Sequence, residues 1–273
     1  MSIRISWSAL RTHEECKQKS HLARTHSLAV LDNKRNFFPG TVTDRVVRNW
    51  LNNDPLDHLG EMPDMVDAYI ESEQRELAEK DQGVIRWRNK ADREAVKVDC
   101  IEAVTKIEPD LLKYVVPFEY QPDFGFQTKI QLTHPRGEEG TVVLNGFMDI
   151  LVKDDRGRYW VWDVKHTRDD GYWRKTIGQL GFYDLVVELE FGQPAIQTGL
   201  MQPLCTKTLA PYKPSADSRA QLLTRINAMA MDLWNDVRTP KESMGGCDFC
   251  PCKHACTKFK PVVDSKGRKR VKL

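Results

Sequence analysis

The stretch GFMDILVKDDRGRYWVWDVKH, residues 146–166, is the most informative part of the sequence. Two apolar segments rich in Val, Ile and Trp flank the turn residues DDRG at 154–157, a pattern that predicts a β-hairpin. Each segment carries an acid in its interior, Asp149 in the first and Asp163 in the second. The hairpin brings these two carboxylates within reach of each other. Lys165 shares a strand face with Asp163, because side chains two residues apart point to the same side.

These three side chains favour a hydrolytic metal site. Two carboxylates among Trp, Val and Ile are costly to bury unless a cation compensates their charge. Mg²⁺ suits such a place, because it needs only one or two carboxylates together with water and a substrate phosphate. A lysine beside it can position or help deprotonate the attacking water and stabilise the charged transition state. The alternative is a simple ion pair between Asp163 and Lys165 on a solvated strand, but their apolar neighbours and Asp149 count against it.

Around the hairpin, the sequence predicts an α/β fold with a mixed sheet, because helical segments alternate with strand-like ones. Residues 63–113 are strongly charged and predict at least two helices in a mostly solvated subdomain. The remaining predicted elements are a helical region at 6–30, strands at 114–121, 126–134, 140–154 and 158–166, a helix at 172–191, a strand at 195–205, a linker at 211–218 with Ser215 or Ser218 as a helix cap, and a helix at 219–237.

The order Asp149…Asp163-Val164-Lys165 resembles the PD-(D/E)XK nuclease superfamily, and more closely its RecB-like exonucleases and their CRISPR-associated relatives. In that family a later helix carries a Q-x-x-x-Y motif, which is found here in QLGFY, residues 179–183. The resemblance implies a restriction-endonuclease-like mixed central sheet flanked by helices. It also implies Mg²⁺ or Mn²⁺ bound by Asp149, Asp163 and the carbonyl of Val164, with Lys165 as the catalytic lysine and Gln179 and Tyr183 as positioning groups.

The sequence departs from the family at one expected metal ligand. The family places a histidine after a G-t-x-x-H stretch in an early helix, whereas here GTVTD places Asp44 at that position. A carboxylate is also a good ligand for Mg²⁺ or Mn²⁺, so the resemblance adds Asp44 to the predicted metal site. The alternative is that Asp44 only occupies the first turn of its helix, where an acid is favourable in any case.

The cysteines form a second constellation. Cys247, Cys250 and Cys256 have the C-x₂-C-x₅-C spacing of the iron–sulfur branch of the RecB-like nucleases, in which a cysteine of the N-terminal helix, here Cys16, is the fourth ligand. The resemblance therefore implies a [4Fe–4S] cluster. The competing hypothesis is a local zinc site made of the three C-terminal cysteines with either Cys252 or His254. Cys100 and Cys205 are predicted to be ordinary buried thiols.

Composition limits the class of protein but does not identify it. The chain has 273 residues, seven cysteines and a net charge of only +2, so any anionic partner must bind a local patch. No secretory signal and no apolar run near 20 residues is present in the sequence, which predicts a cytoplasmic protein of a bacterium or a virus-infected host, with no membrane association. Reduced thiols in that compartment favour a metal or reactive site over disulfides.

Together these patterns predict a metal-dependent DNA exonuclease that acts at single-stranded ends in recombination, repair or replication. The alternative is an inactive iron–sulfur or zinc protein that binds DNA as an adaptor. No Walker A stretch is present, so a helicase or recombination protein is a candidate partner. The predicted divisions are an N-terminal helical segment at 1–54, a helical insertion at 55–113, the nuclease core at 114–213, a helix and cysteine region at 214–260, and a basic tail at 261–273.

Overall fold

A computed structural model of the protein describes residues 2–25, 37–79, 85–134 and 136–239, together with Cys250, Cys252 and Cys256. This part of the chain folds into seven helices and one six-stranded sheet. In chain order the elements are β1 Ser2–Ile5, α1 Trp7–Glu15, α2 Lys17–Thr25, α3 Phe38–Asn52, α4 Met62–Glu79, α5 Lys90–Tyr114, β2 Glu119–Thr133, β3 Glu139–Lys153, β4 Tyr159–Val164, α6 Trp173–Phe191, β5 Gln197–Met201, β6 Leu209–Tyr212 and α7 Ala216–Trp234.

The sheet is mixed and β3 is its organising strand. The strand β2 runs antiparallel to β3 along its whole length. On the other edge of β3, β1 pairs in parallel with residues 141–144, and β4 pairs antiparallel with residues 150–153. The sheet then continues from β4 to the parallel strand β5 and the antiparallel strand β6. Residues 145–149 therefore have no partner strand on this edge within the described chain, which leaves a gap between β1 and β4.

Helices pack on one face of the sheet along β1, β2 and the first half of β3, and on both faces around β4 and the second half of β3. One core contains β-sheet residues such as Leu144 and Met148 packed with residues of α1, α6 and α7. The other contains Ile150 and Val152 packed with residues of α3, α4 and α5. Along β3 the buried face therefore changes between Met148 and Ile150. The change occurs beside Asp149, so this acid lies where the two cores meet the gap.

The central mixed sheet flanked by helices confirms the predicted α/β class. Two short strands were not predicted. The strand β1 has only two buried apolar residues, Ile3 and Ile5, and β6 contains Pro211, which usually marks a turn or an edge. The predicted linker therefore begins inside a strand. The two strands predicted around residue 124 form one strand, β2, although Asp123 within it has a φ of 53°.

The charged region before the sheet forms the predicted helices, α4 and α5, but they do not stand apart as a mostly solvated subdomain. Val66 and Ile70 of α4 and Val104 and Ile107 of α5 are fully buried in the core that reaches Trp162 of the sheet. Most of their charged residues occupy the outer helix faces, whereas Glu73 is buried and pairs with Arg45. The division of the chain into domains remains a prediction. Cys247, His254 and the basic tail lie outside the described residues.

Within the described ranges, none of the helices combines the length and apolar character that crossing a bilayer requires.

Candidate active site

The structure brings together the two acids and the lysine of the hairpin. The backbone N–H of Val164 donates a hydrogen bond of 2.8 Å to Oδ2 of Asp149, which fixes that side chain across the two strands. Lys165 Nζ lies 2.6 Å from Oδ2 of Asp163 and 3.9 Å from Oδ2 of Asp149. The Asp163 side chain is fully buried, whereas those of Lys165 and Asp149 are about a quarter exposed. Solvent therefore reaches the site from the side of the gap.

The charges in this cluster shift one another. Burial and the neighbouring Asp149 raise the pKa of Asp163 to about 7, and Lys165 only partly offsets this. Burial alone would lower the pKa of Lys165, but Asp163 and Asp149 outweigh it and raise that pKa above its ordinary value. Lys165 therefore stays a protonated ammonium group at neutral pH, held between two acids.

Helix α6 supplies the predicted glutamine and tyrosine. Gln179 Nε2 donates hydrogen bonds to Oδ1 of Asp163 at 3.1 Å and to the hydroxyl oxygen of Tyr183 at 2.6 Å. The two residues are four positions apart on the helix and thus share one face. Burial, followed by the charges of Asp163 and Asp149, raises the pKa of Tyr183, so its hydroxyl stays neutral. The Q-x-x-x-Y motif thus holds the side chain of Asp163 in place.

Helix α3 brings Asp44 to the site from the opposite layer. The helix begins at Phe38, with Pro39 in its first turn, so Asp44 lies in the second turn. The alternative that Asp44 is merely a first-turn acid is therefore wrong. Burial, followed by repulsion from the charge of Asp149, raises the pKa of Asp44 to about 6.

Two further residues at the site were not predicted from the sequence. Arg48 donates to Oδ2 of Asp44 at 2.6 Å, and its other terminal nitrogen lies 3.0 Å from Oδ2 of Asp123. Asp123 is opposite Asp149 in the β2–β3 pairing, between the partners Pro122–Ile150 and Phe124–Met148. Asp123 also lies within the interaction range of Asp44, whose pKa it helps to raise. The only sequence signal was an acid inside a strand pattern, in QPDFG.

The carboxylates of the site are oxygen donors of the kind that a divalent cation such as Mg²⁺ prefers. No three carboxyl, imidazole or thiol groups of the described residues are arranged around a common point for a metal ion. Instead, the Lys165 ammonium group lies beside both hairpin acids. However, the raised pKa values of Asp44 and Asp163 show crowded negative charge that a cation would relieve. Mg²⁺ retains several waters and needs few protein ligands, so this set of carboxylates suits it.

The cysteine prediction falls only partly on described residues. Cys16 Sγ accepts a hydrogen bond of 3.4 Å from the backbone N–H of Lys19, and Cys252 Sγ lies 3.9 Å from the carbonyl oxygen of the same residue. Cys252 also lies within the interaction range of Cys250. Thiols from the two ends of the chain therefore meet at the start of α2. Because Cys247 lies outside the described residues, the thiols that are described do not complete a four-ligand site.

The two cysteines predicted to be ordinary thiols are buried. Cys100 and Cys205 lie away from this thiol group, and each donates to a backbone carbonyl, that of Pro39 and of Thr167 respectively.

Known proteins similar to this chain include one sequence family and solved structures of low sequence identity. The sequence profile described as the PD-(D/E)XK nuclease superfamily matches residues 4–257. The crystal structure of SSO0001 is similar over 93% of this chain and 96% of that chain, with 18% identity and a TM-score of 0.36. The crystal structure of a proposed exonuclease from Eubacterium rectale is similar over 95% of this chain and 90% of that chain, with 12% identity and a TM-score of 0.49. No protein with a curated description matches the sequence.

Proposed function

Because this chain belongs to the PD-(D/E)XK nuclease superfamily, we propose that it is a metal-dependent deoxyribonuclease that degrades DNA from single-stranded ends. The family implies hydrolysis of phosphodiester bonds. The observation that carries the proposal is the convergence of Asp149, Asp163 and Lys165 at the gap of the sheet, within 2.6 to 3.9 Å. The action on single-stranded ends, and a role in recombination, repair or replication, are supported by the resemblance to RecB-like exonucleases.

Each residue has a role in this proposal. Asp149, Asp163, Asp44 and the carbonyl of Val164 would hold the divalent cation, which supplies Lewis-acid polarisation of the phosphodiester when bound. Lys165 is placed to orient the attacking water and to stabilise the negative charge that develops on the phosphorus oxygens. Its raised pKa favours this electrostatic role over that of a general base.

Three residues outside the hairpin position these groups. Gln179 orients the Asp163 carboxylate, and Tyr183 orients Gln179. Arg48 has the corresponding function for Asp44. Gln179 and Arg48 each fix a carboxylate by a directed hydrogen bond, and Tyr183 fixes Gln179, so the site stays assembled before DNA binds.

The test compares Lys165→Ala with the wild-type protein on end-labelled single-stranded DNA in Mg²⁺ or Mn²⁺. We expect a loss of at least about 100-fold in the degradation rate, the usual effect of removing a group that stabilises transition-state charge. Lys153→Ala is the matched control, because Lys153 lies at the end of β3 and pairs with Glu119 at the surface. Equal degradation by wild type and Lys165→Ala would remove the proposed active site.

A wild-type protein that binds DNA but degrades none would support the adaptor alternative. Labels on opposite ends of the same substrate give the polarity of degradation in the same experiment.

We further propose that Cys16, Cys247, Cys250 and Cys256 bind a [4Fe–4S] cluster. The spacing of the C-terminal cysteines supports this. So does Cys252, which lies between Cys250 and Cys256 in the sequence and reaches Lys19, the residue whose N–H donates to Cys16. The role proposed for the cluster is structural: four thiolates would join the chain ends. No catalytic step depends on it.

A further inference from the structure

One side of the sheet next to the gap is open to solvent. In the first half of β3, Val142, Leu144 and Met148 point into the core with α6 and α7. Side chains at the intervening positions point the other way, because successive residues of a strand alternate. We call this surface of β1, β2 and β3 the open sheet face. Its members are Ser2, Arg4, Gly125, Gln127, Lys129, Gln131, Thr141, Val143, Asn145 and Phe147.

Phe147 is an unusual residue for a position so near the site. It is two residues before Asp149, about 7 Å along the strand, and its side chain is 62% exposed. Its ring lies over Gly125 on the neighbouring strand, where an added Cβ would be only 3.1 Å from Cε1 of the ring. The backbone of β2 therefore supports one side of the ring, while the other side faces solvent.

A second phenylalanine of the same two strands, Phe126, also covers a glycine and differs from Phe147 in its exposure to solvent. Phe126 lies over Gly146 in the same cross-strand manner, with an added Cβ 3.0 Å from its Cζ. However, Phe126 points into the core and is only 5% exposed. Covering a glycine explains the position of both rings, but only Phe147 offers an aromatic surface to a ligand.

The charge of the open sheet face suits a nucleic acid strand. Arg4, Val143 and Lys129 are register partners on three adjacent strands, about 20 Å from Asp149 at 3.3 Å per residue. Neither cation forms an ion pair with any residue in the described part of the chain. Between Thr141 and Phe147 this face has no carboxylate, and Gln127 and Asn145 are register partners between Phe147 and the cations. An aromatic ring followed by amides and cations is the composition that binds single strands.

We propose that the open sheet face binds the single-stranded DNA that leads to the active site, with one base stacked on Phe147 and phosphates held by Arg4 and Lys129. This inference rests on the proposed function in one respect only, namely that the DNA bound here is hydrolysed at the active site. The distance of about 20 Å corresponds to about six nucleotides at 3.4 Å per step, so oligonucleotides shorter than this should lose the contribution of the cations.

The experiment measures binding without cleavage, by fluorescence anisotropy of a labelled oligothymidylate of about 20 nucleotides in EDTA. We expect Phe147→Leu to bind about 5- to 100-fold more weakly, the range for one stacked base, and Phe147→Tyr to bind as the wild type does. Leucine still covers Gly125, so a purely structural ring would tolerate the change. Val98→Ala, an exposed apolar residue of α5, is the control for a general surface effect.

The salt dependence tests the cations independently. Replacing Arg4 and Lys129 by glutamine should reduce the slope of log K against log salt by about 0.7 for each lost phosphate contact. Lys153→Gln, at the other end of β3, should leave the slope unchanged. Thermal unfolding of every variant excludes a folding defect as the cause of weaker binding.

The outcomes separate this inference from the proposed function. Binding unchanged in Phe147→Leu, or no binding by the wild type, would overturn the inference even if the protein degrades DNA. If the protein binds DNA through Phe147 but degrades none, the open sheet face is supported as a binding surface. The nuclease proposal would then have failed.

Discussion

Asp44 shows how a single position links the site to stability. Its pKa is raised to about 6 by burial and by Asp149, so the folded protein holds this proton more tightly than the unfolded chain does. The favourable contribution is complete below about pH 4 and is lost as the pH rises through about 6. We therefore expect the free energy of unfolding of Asp44→Asn in EDTA to be close to that of wild type at about pH 4. The difference in favour of Asp44→Asn should grow as the pH rises and reach about 1–3 kcal/mol at about pH 7.

Urea unfolding at several pH values measures this difference. Asp217→Asn, which changes an exposed acid in the first turn of α7, is the control for a general effect of removing a charge. A gap between Asp44→Asn and wild type that stayed constant with pH would mean that the folded protein does not raise the pKa of this carboxyl group. Adding Mg²⁺ should favour the wild type, which keeps the carboxylate as a ligand.

Local rules explain why some positions of the site were predictable. Asp149, Asp163 and Lys165 belong to one hairpin, whose turn and alternation are visible in twenty-one consecutive residues. Gln179 and Tyr183 followed from their helical spacing and the family resemblance. In contrast, Asp123 depends on the register of β2, and Arg48 depends on where α3 packs. Both residues reach the site through contacts with residues far away in the sequence, such as the ion pair between Arg48 and Asp123.

Among the elements, α6 depends on a close approach to α1. Gly178 precedes the positioning residue Gln179, and an added Cβ there would be 2.2 Å from Cη2 of Trp7. Gly178→Ala must push the two helices apart, because the indole ring is rigid and lies at the edge of a packed core. We expect a loss of about 1–3 kcal/mol in the free energy of unfolding, together with lower nuclease activity, because Gln179 moves with its neighbour.

A matched glycine in the same helix provides the control. Gly181 has no atom within 4 Å of an added Cβ, so Gly181→Ala should stabilise the helix by up to about 1 kcal/mol. Trp7→Leu should partly restore Gly178→Ala, and a double-mutant cycle in urea measures the coupling. If the two substitutions have additive effects, the loss of stability in Gly178→Ala does not come from the contact with Trp7.

The same reasoning separates predictable elements from the others. Long segments such as α6 and β3 were recognised because each presents many consecutive residues of one type of pattern. The four-residue strand β1 was missed because it is defined by pairing with β3, a strand distant in sequence. The strand β6 was missed because it is equally short and contains Pro211. The sequence also did not predict that α4 and α5 share a core with the sheet, because their charge content only marks the exposed faces.

At the scale of the whole molecule, the first helices, α1 and α2, lie against the last helix, α7. Asp232 of α7 accepts contacts from His13 at 2.9 Å and Lys17 at 2.6 Å, and Arg225 forms a two-point pair with Glu14. Cys252 reaches the same helical junction. Ion pairs hold α7 against α1 and the start of α2, so a cluster at this place would add a covalent link to a junction that these ion pairs already support.

If the proposed cluster is present, changing Cys16 alone should remove the iron and also lower the stability of the protein. We expect Cys16→Ser to lose bound iron, to lose the broad visible absorption of a brown wild-type protein, and to unfold at a lower temperature, because a link between distant positions constrains the unfolded chain. Cys252→Ser should keep iron and colour, since the proposed set does not include this thiol. Metal analysis and absorption spectra measure both. A colourless wild-type protein with one zinc per chain, retained in Cys16→Ser, would instead establish the local zinc site among the C-terminal cysteines.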